Sequence, residues 1–239
     1  MLRTVIWFIY FWFYLLFLLP DLLRLKYLSR KGYEAKLNFI LFNKVGRWAR
    51  SLIKLAGGEI SVSGIENVPS SGPVLFVSNH QGNFDIPILL GFIDKPKAFI
   101  AKAEIKKIPL IYSWMTLMKC VFIQRNNLRQ SLSVIQQGTE VLKSGQSLVI
   151  FPEGSRSKNS QLGRFKPGSF KLALEAQVPI IPISINGSYK LMENQGFIIR
   201  PAKVELIIAP PVFPKEQITT KELATKVRNV IETNLKMIS

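Results

Sequence analysis

Between residues 73 and 209 the chain repeats one pattern: a short, unbroken apolar run followed by a stretch with helical spacing. The runs are PVLFVS (73–78), KAFIA (97–101), CVFIQ (120–124), SLVIF (147–151), VPIIPISI (178–185) and KVELIIA (203–209), with EISVSG (59–64) ahead of them as a further strand candidate. Short continuous apolar runs, without polar alternation, suit strands that are buried on both faces. The segments between them read as helices. LRQSLSVIQQGTEVLKSG carries Leu128, Leu132, Ile135, Val141 and Leu142 at mostly helical spacing and stops at Gly145. PGSFKLALEAQ opens on Pro167, a residue suited to a first helical turn. ITTKELATKVRNVIETNLKMI offers Thr219 or Thr220 as its N-cap. Buried strands alternating with helices predict an α/β fold, a mostly parallel sheet covered by helices.

The N-terminal 58 residues have a different texture, which predicts a boundary between membrane-anchoring helices over 1–58 and an α/β domain over 59–239. No charge interrupts Thr4 to Pro20, and eight positions from Thr4 to Leu19 are Trp, Phe or Tyr, side chains that favour the lipid headgroup region. The run is short for a spanning helix, which needs about 20 apolar residues. It lacks the small-residue cleavage site of a signal peptide. Arg24, Lys26, Arg30, Lys31 and Lys36 follow at once, placed to meet anionic lipid on a cytoplasmic leaflet. A second segment, LNFILFNKVGRWARSLIKLAGG, mixes apolar residues with Lys44, Arg47, Arg50 and Lys54, the pattern of an amphipathic helix lying in the interface and ending at Gly57-Gly58. The expectation is a membrane-associated helical pair, placing the protein on the cytoplasmic face of a membrane, the inner one in a bacterium.

Net charge and apolar content narrow the partners. Lys and Arg total 32 against 15 Asp and Glu, a net charge of +17, while 48% of the chain is hydrophobic. Nucleic-acid binding needs the charge but not the apolar excess, so an anionic membrane surface is the better partner and no nucleic acid is expected. One cysteine and one histidine exclude an internal disulfide framework and do not supply the ligand set of a structural zinc site, so no metal is implied.

The polar residues that follow the strands converge. In open α/β sheets the ligand crevice lies outside the carboxyl ends of the strands. Those ends deliver Asn79 and His80, then Lys102, then Arg125, then Glu153, Gly154 and Arg156, then Asn186. Lys102, Arg125, Arg156 and Lys166 form a cationic set suited to a phosphate, and backbone amides near Gly154 suit an anion as well. Taken singly, each of these cations reads equally well as a solvated loop charge. His80, the only histidine, precedes Asp85 by five positions; on a continuous helix the two would stand about 140° apart. They meet only if the chain turns between them, and Gly82 and Asn83 provide that turn. Asp85 would then hold one ring nitrogen and leave the other as a base for a hydroxyl. Spacing alone leaves open the plainer alternative, a satisfied histidine at a strand end. No G-x-S-x-G elbow accompanies the nearby serines, which argues against a serine nucleophile.

Four blocks in order resemble the glycerolipid acyltransferase superfamily, most of all its 1-acyl-glycerol-3-phosphate (lysophosphatidate) acyltransferases. NHQGNFD matches that family's Asn-His-x-(Ser/Thr)-x-x-Asp block, VFIQRNN its second, FPEGSRS its third and VPIIPISI its fourth, with FKPGSF following the third. The match covers roughly Pro73 to Asn186. Gly82 replaces the usual Ser or Thr, and Ser155 the commoner Thr. The resemblance implies His80 as general base, Asp85 as its orienter, and direct attack of an acceptor hydroxyl on an acyl thioester without an acyl-enzyme. It implies that Arg156, with Arg125 and Lys102, binds the acceptor phosphate and Glu153 a glycerol hydroxyl. The implied partners are a lysophospholipid acceptor, an acyl thioester donor on coenzyme A or acyl carrier protein, and membrane lipids; no other cofactor is implied. Competing readings are a different acceptor such as glycerol-3-phosphate or another lysophospholipid, a hydrolase using the same pair, and a non-catalytic anionic-lipid binding protein.

Overall fold

A computed structural model describes residues 1–124, 128–214 and 217–238 of the chain. Three helices come first: α1 (Leu2–Phe17), α2 (Leu19–Arg30) and α3 (Glu34–Ala56). The rest runs β1 (Gly58–Ser63), β2 (Leu75–Ser78), α4 (Asp85–Phe92), β3 (Lys97–Lys102), α5 (Pro109–Leu117), β4 (Val121–Ile123), α6 (Leu128–Lys143), β5 (Ser147–Ile150), α7 (Lys171–Ala176), β6 (Ile180–Asn186), β7 (Ala202–Ile208) and α8 (Thr220–Met237). All seven apolar runs are strands.

The strands form one sheet in the order β1-β7-β6-β2-β5-β3-β4, parallel throughout except for the antiparallel β6–β7 pair. The central strands β2 and β5 are buried at every position, as their unbroken apolar runs require. The edge strand β1 alternates half-buried with exposed residues. Thr219 is the cap of α8: its hydroxyl accepts from the Glu222 amide while the Glu222 carboxylate accepts from the Thr219 amide, so two helix-end donors are satisfied reciprocally.

The chain leaves β6 towards β7 and leaves β2 towards β3, in opposite directions along the sheet. Neighbouring strands whose connections diverge leave a crevice at their carboxyl ends. Asn79 closes the floor of that crevice. Its amide nitrogen donates to Ile185 O at 2.9 Å and its oxygen accepts from Ile185 N at 2.8 Å, so the side chain extends the ladder one step beyond β2.

The N-terminal helices depart from expectation in one respect. The apolar face of α3, with Leu41, Val45, Ala49 and Leu52, is buried in the protein, where α3 packs on α1, α2 and α4. That face is therefore covered by protein and is not open to lipid, contrary to the expectation of a helix lying in the membrane interface. Pro20 sits in the first turn of α2, where its missing N–H costs nothing, and α1 and α2 meet at a 45° bend. α1 is fixed to α3 by Trp7 Nε1 donating to Leu52 O at 2.9 Å and by Arg3 donating to Ala56 O at 3.0 Å. Its other face is apolar and bare: Val5, Ile9, Phe13 and Leu16 are exposed, Phe13 to 68%, and Leu19 and Leu23 continue that surface into α2. No single helix among the described residues is long and apolar enough to cross a membrane.

Candidate active site

The turn between β2 and α4 brings His80 and Asp85 together. His80 Nδ1 lies 2.6 Å from Asp85 Oδ2, with the histidine side chain 14% exposed and the aspartate fully buried. The same carboxylate oxygen accepts from the backbone amides of Gln81 at 2.7 Å and Gly82 at 3.0 Å. Its other oxygen accepts from the Ser188 hydroxyl, delivered from just beyond β6. A carboxylate with all these donors around it has one orientation available, and it fixes the imidazole in turn. Nδ1 must carry the proton it shares with the carboxylate. Nε2 makes no hydrogen bond among the described residues, so it is the ring nitrogen left to accept a proton.

Two further groups lock His80. Phe151 stacks on the imidazole, with ring centroids 4.0 Å apart and planes 16° from parallel. Glu153 accepts from the His80 backbone amide at 2.9 Å through one oxygen and from the Gly163 amide at 3.0 Å through the other. Burial pushes the Glu153 carboxyl above its ordinary range, while those two amides pull it back. Glu153 is therefore engaged in holding the backbone of the base and of the following loop. The FPEGSRS loop is also joined directly to the turn: Ser157 N donates to His80 O at 2.8 Å and Lys158 N to Gln81 O at 3.1 Å.

Arg156 and Lys166 are the expected cations that the structure places beside the turn and the FPEGSRS loop. Arg156 Nη1 donates to Asn83 Oδ1 and to Glu193 Oε1, the latter at 3.2 Å. Gly154 has a φ of +76°, a conformation that favours glycine, and the Lys166 side chain lies across it: a Cβ there would stand 2.7 Å from Lys166 Nζ. Lys102 is exposed at the end of β3, two strands from β2 on the same edge. Arg125 lies outside the described residues. No group of three or more His, Cys, Asp or Glu among the described residues is placed to hold a metal ion.

Sequence reasoning missed Ser188, Glu193 and the stacking role of Phe151. Ser188 and Glu193 stand more than a hundred residues from the turn they contact, and no local spacing announces them. One signal did exist. Gly82 has room only for a hydrogen because a Cβ would stand 2.9 Å from the Glu193 Cδ.

Chemically, the arrangement is a base with a free nitrogen, an ionic orienter beneath it and a guanidinium beside it. It suits removing a proton from a hydroxyl on a molecule that also carries an anionic group.

A family model described as Acyltransferase matches residues 59–186. A protein of Mycoplasma pneumoniae named probable 1-acyl-sn-glycerol-3-phosphate acyltransferase is 35% identical over 218 residues, covering 84% of this chain and 81% of that protein. A chloroplastic 1-acyl-sn-glycerol-3-phosphate acyltransferase of Brassica napus is 36% identical over 181 residues, which cover 74% of this chain but 51% of the plant protein, so the match spans about half of the relative's length. The crystal structure of the 1-acyl-sn-glycerophosphate acyltransferase PlsC from Thermotoga maritima superimposes with a TM-score of 0.88 at 30% identity, covering 99% of this chain and 95% of that one.

Proposed function

This chain belongs to the acyltransferase family, and from that premise we propose that it moves a fatty acyl group from a thioester to the free hydroxyl of lysophosphatidate, producing phosphatidate. His80 Nε2 takes the hydroxyl proton as the oxygen attacks the thioester carbonyl. Asp85 holds Nδ1–H and balances the imidazolium that forms, and Phe151 covers the ring face. Collapse of the tetrahedral intermediate breaks the C–S bond, and the imidazolium returns its proton to the leaving thiolate. The products are an ester and a free thiol, with no acyl-enzyme. Arg156 and Lys166, with Lys102 at the end of β3 and with Arg125 as the motif resemblance implies, hold the acceptor phosphate. The donor is an acyl thioester of coenzyme A or acyl carrier protein, and no further cofactor enters.

The observation that carries this reading is the 2.6 Å His80–Asp85 contact on the same sheet edge as Arg156. The bare apolar face of α1 and α2, flanked by exposed Arg24, Arg30, Lys31 and Lys36, supports attachment to the cytoplasmic face of an anionic membrane, where a lysolipid resides. Residues 1–58 are the anchor in this reading and 59–239 the catalytic unit.

The test is acyl transfer by the detergent-solubilised protein to lysophosphatidate, glycerol-3-phosphate and monoacylglycerol. Lysophosphatidate is expected to be the best acceptor. Arg156→Ala should raise its KM while leaving the poor rate with monoacylglycerol unchanged. Equal use of the phosphate-free acceptor by the wild type would contradict the reading.

A further inference from the structure

Glu193 occupies an unexpected place, a buried carboxylate paired with Arg156 beside the catalytic turn. It follows β6 in the short helical turn Glu193–Gln195, and its side chain is 5% exposed. Oε1 accepts from the Asn83 amide at 2.6 Å and from Arg156 Nη1 at 3.2 Å. Asn83 Oδ1 accepts from the same Nη1, so the three residues close a triangle in which Asn83 contributes its side-chain oxygen to Arg156 and its backbone N–H to Glu193. Oε2 is buried with no hydrogen-bond partner, pressed against the space that a Cβ on residue 82 would need.

The guanidinium has five N–H groups in a rigid fork. Both protons of Nη1 are used, one on Asn83 and one on Glu193. That leaves Nε and Nη2, whose parallel N–H bonds form the edge that grips two oxygens of a phosphate at once. An arginine on an exposed loop would lose rotamer entropy on binding; one already pinned at Nη1 has met that cost in the folded protein.

We propose that Glu193 is a positioning residue for the acceptor: with Asn83 it holds Nη1 of Arg156 so that the Nε–Nη2 edge is presented to the acceptor phosphate. This rests on the reading of Arg156 as the phosphate ligand. Gly82 belongs to the same device, because only a residue without a side chain lets the carboxylate come so close to the turn. Burial raises the Glu193 carboxyl above its ordinary range, while the Asn83 amide and Arg156 pull it down.

The experiment is steady-state kinetics with lysophosphatidate for Glu193→Ala, Glu193→Gln, Gly82→Ala, Arg156→Ala and the double variant Glu193→Ala/Arg156→Ala. Glu193→Ala should raise the acceptor KM about tenfold with kcat within about twofold. Glu193→Gln keeps an oxygen for Nη1 and should show a smaller rise. Gly82→Ala, which pushes the carboxylate aside from the opposite direction, should raise KM as well. In the Arg156→Ala background, removing Glu193 should change KM by less than about twofold, because its effect runs through the arginine. A fall in KM, showing that Glu193 competes with the phosphate, would overturn the proposal. So would a rise that persists undiminished without Arg156. If Glu193→Ala does not fold by circular dichroism, Glu193→Gln and Gly82→Ala decide, and wild-type KM in both refutes it. Failure of the underlying reading would look different: the wild type itself would not prefer lysophosphatidate to monoacylglycerol.

Discussion

Glu153 holds the backbone of His80, not its ring: Oε1 of the glutamate accepts from the His80 amide at 2.9 Å. The same side chain ties down Gly163, so one carboxylate joins the catalytic turn to the loop that leads towards Lys166. A group in this position affects the rate through geometry.

Glu153→Ala should therefore lower kcat by roughly tenfold to a hundredfold, the scale of losing one or two buried hydrogen bonds around the base, with little change in acceptor KM. Acyl-transfer kinetics with lysophosphatidate measure it. A large KM rise at constant kcat would mean that the carboxylate binds substrate directly.

Lys97 gives the stability a pH dependence of defined sign. Its side chain is buried at the start of β3, where Nζ donates to Ile93 O at 2.7 Å beyond the end of α4. Burial lowers its pKa from 10.5 to about 7, with Lys95 pushing the same way and Asp94 opposing. Between pH 7 and about 10 the unfolded chain binds a proton there that the folded chain does not, so stability rises with pH across that window. Below pH 7 both states are protonated and the folded state bears the full burial cost. Lys97→Met should raise Tm at pH 7 by several degrees and flatten the rise towards pH 9–10. Thermal unfolding of both proteins at several pH values checks this; parallel Tm curves would refute it.

The bare face of α1 should govern membrane attachment without governing the fold. Ile9 and Phe13 are exposed to 52% and 68% and face away from Trp7, which docks on α3. Ile9→Asp/Phe13→Asp should abolish sedimentation with anionic vesicles and leave Tm within about 2 °C, since exposed sites contribute little to folding. Retained vesicle binding would place the contact surface elsewhere.

The sheet was legible in the sequence because continuous apolar runs have one good use, as strands covered on both faces. The His80–Asp85 pair was legible because Gly82 and Asn83 supply the turn that a five-residue spacing needs. What stayed hidden depends on distant segments. α3 shows the same two-faced pattern whether protein or lipid covers its apolar side, and only packing on α4 decides between them. Glu153 could be placed near the site, but not assigned to the His80 amide, since backbone hydrogen bonds to side chains leave no spacing signature. Ser188 and Glu193 come to the turn on the segment that joins β6 to β7, and their residue types alone do not mark them.

The central claim is that His80 is the base that deprotonates the acceptor hydroxyl. Thiol release from an acyl thioester in the presence of lysophosphatidate tests it most directly, with wild type and folded His80→Ala compared under identical conditions. A loss of about 10²–10⁴-fold in kcat is expected for the variant, the range of a general base removed. Thiol release by His80→Ala at the wild-type rate would contradict it.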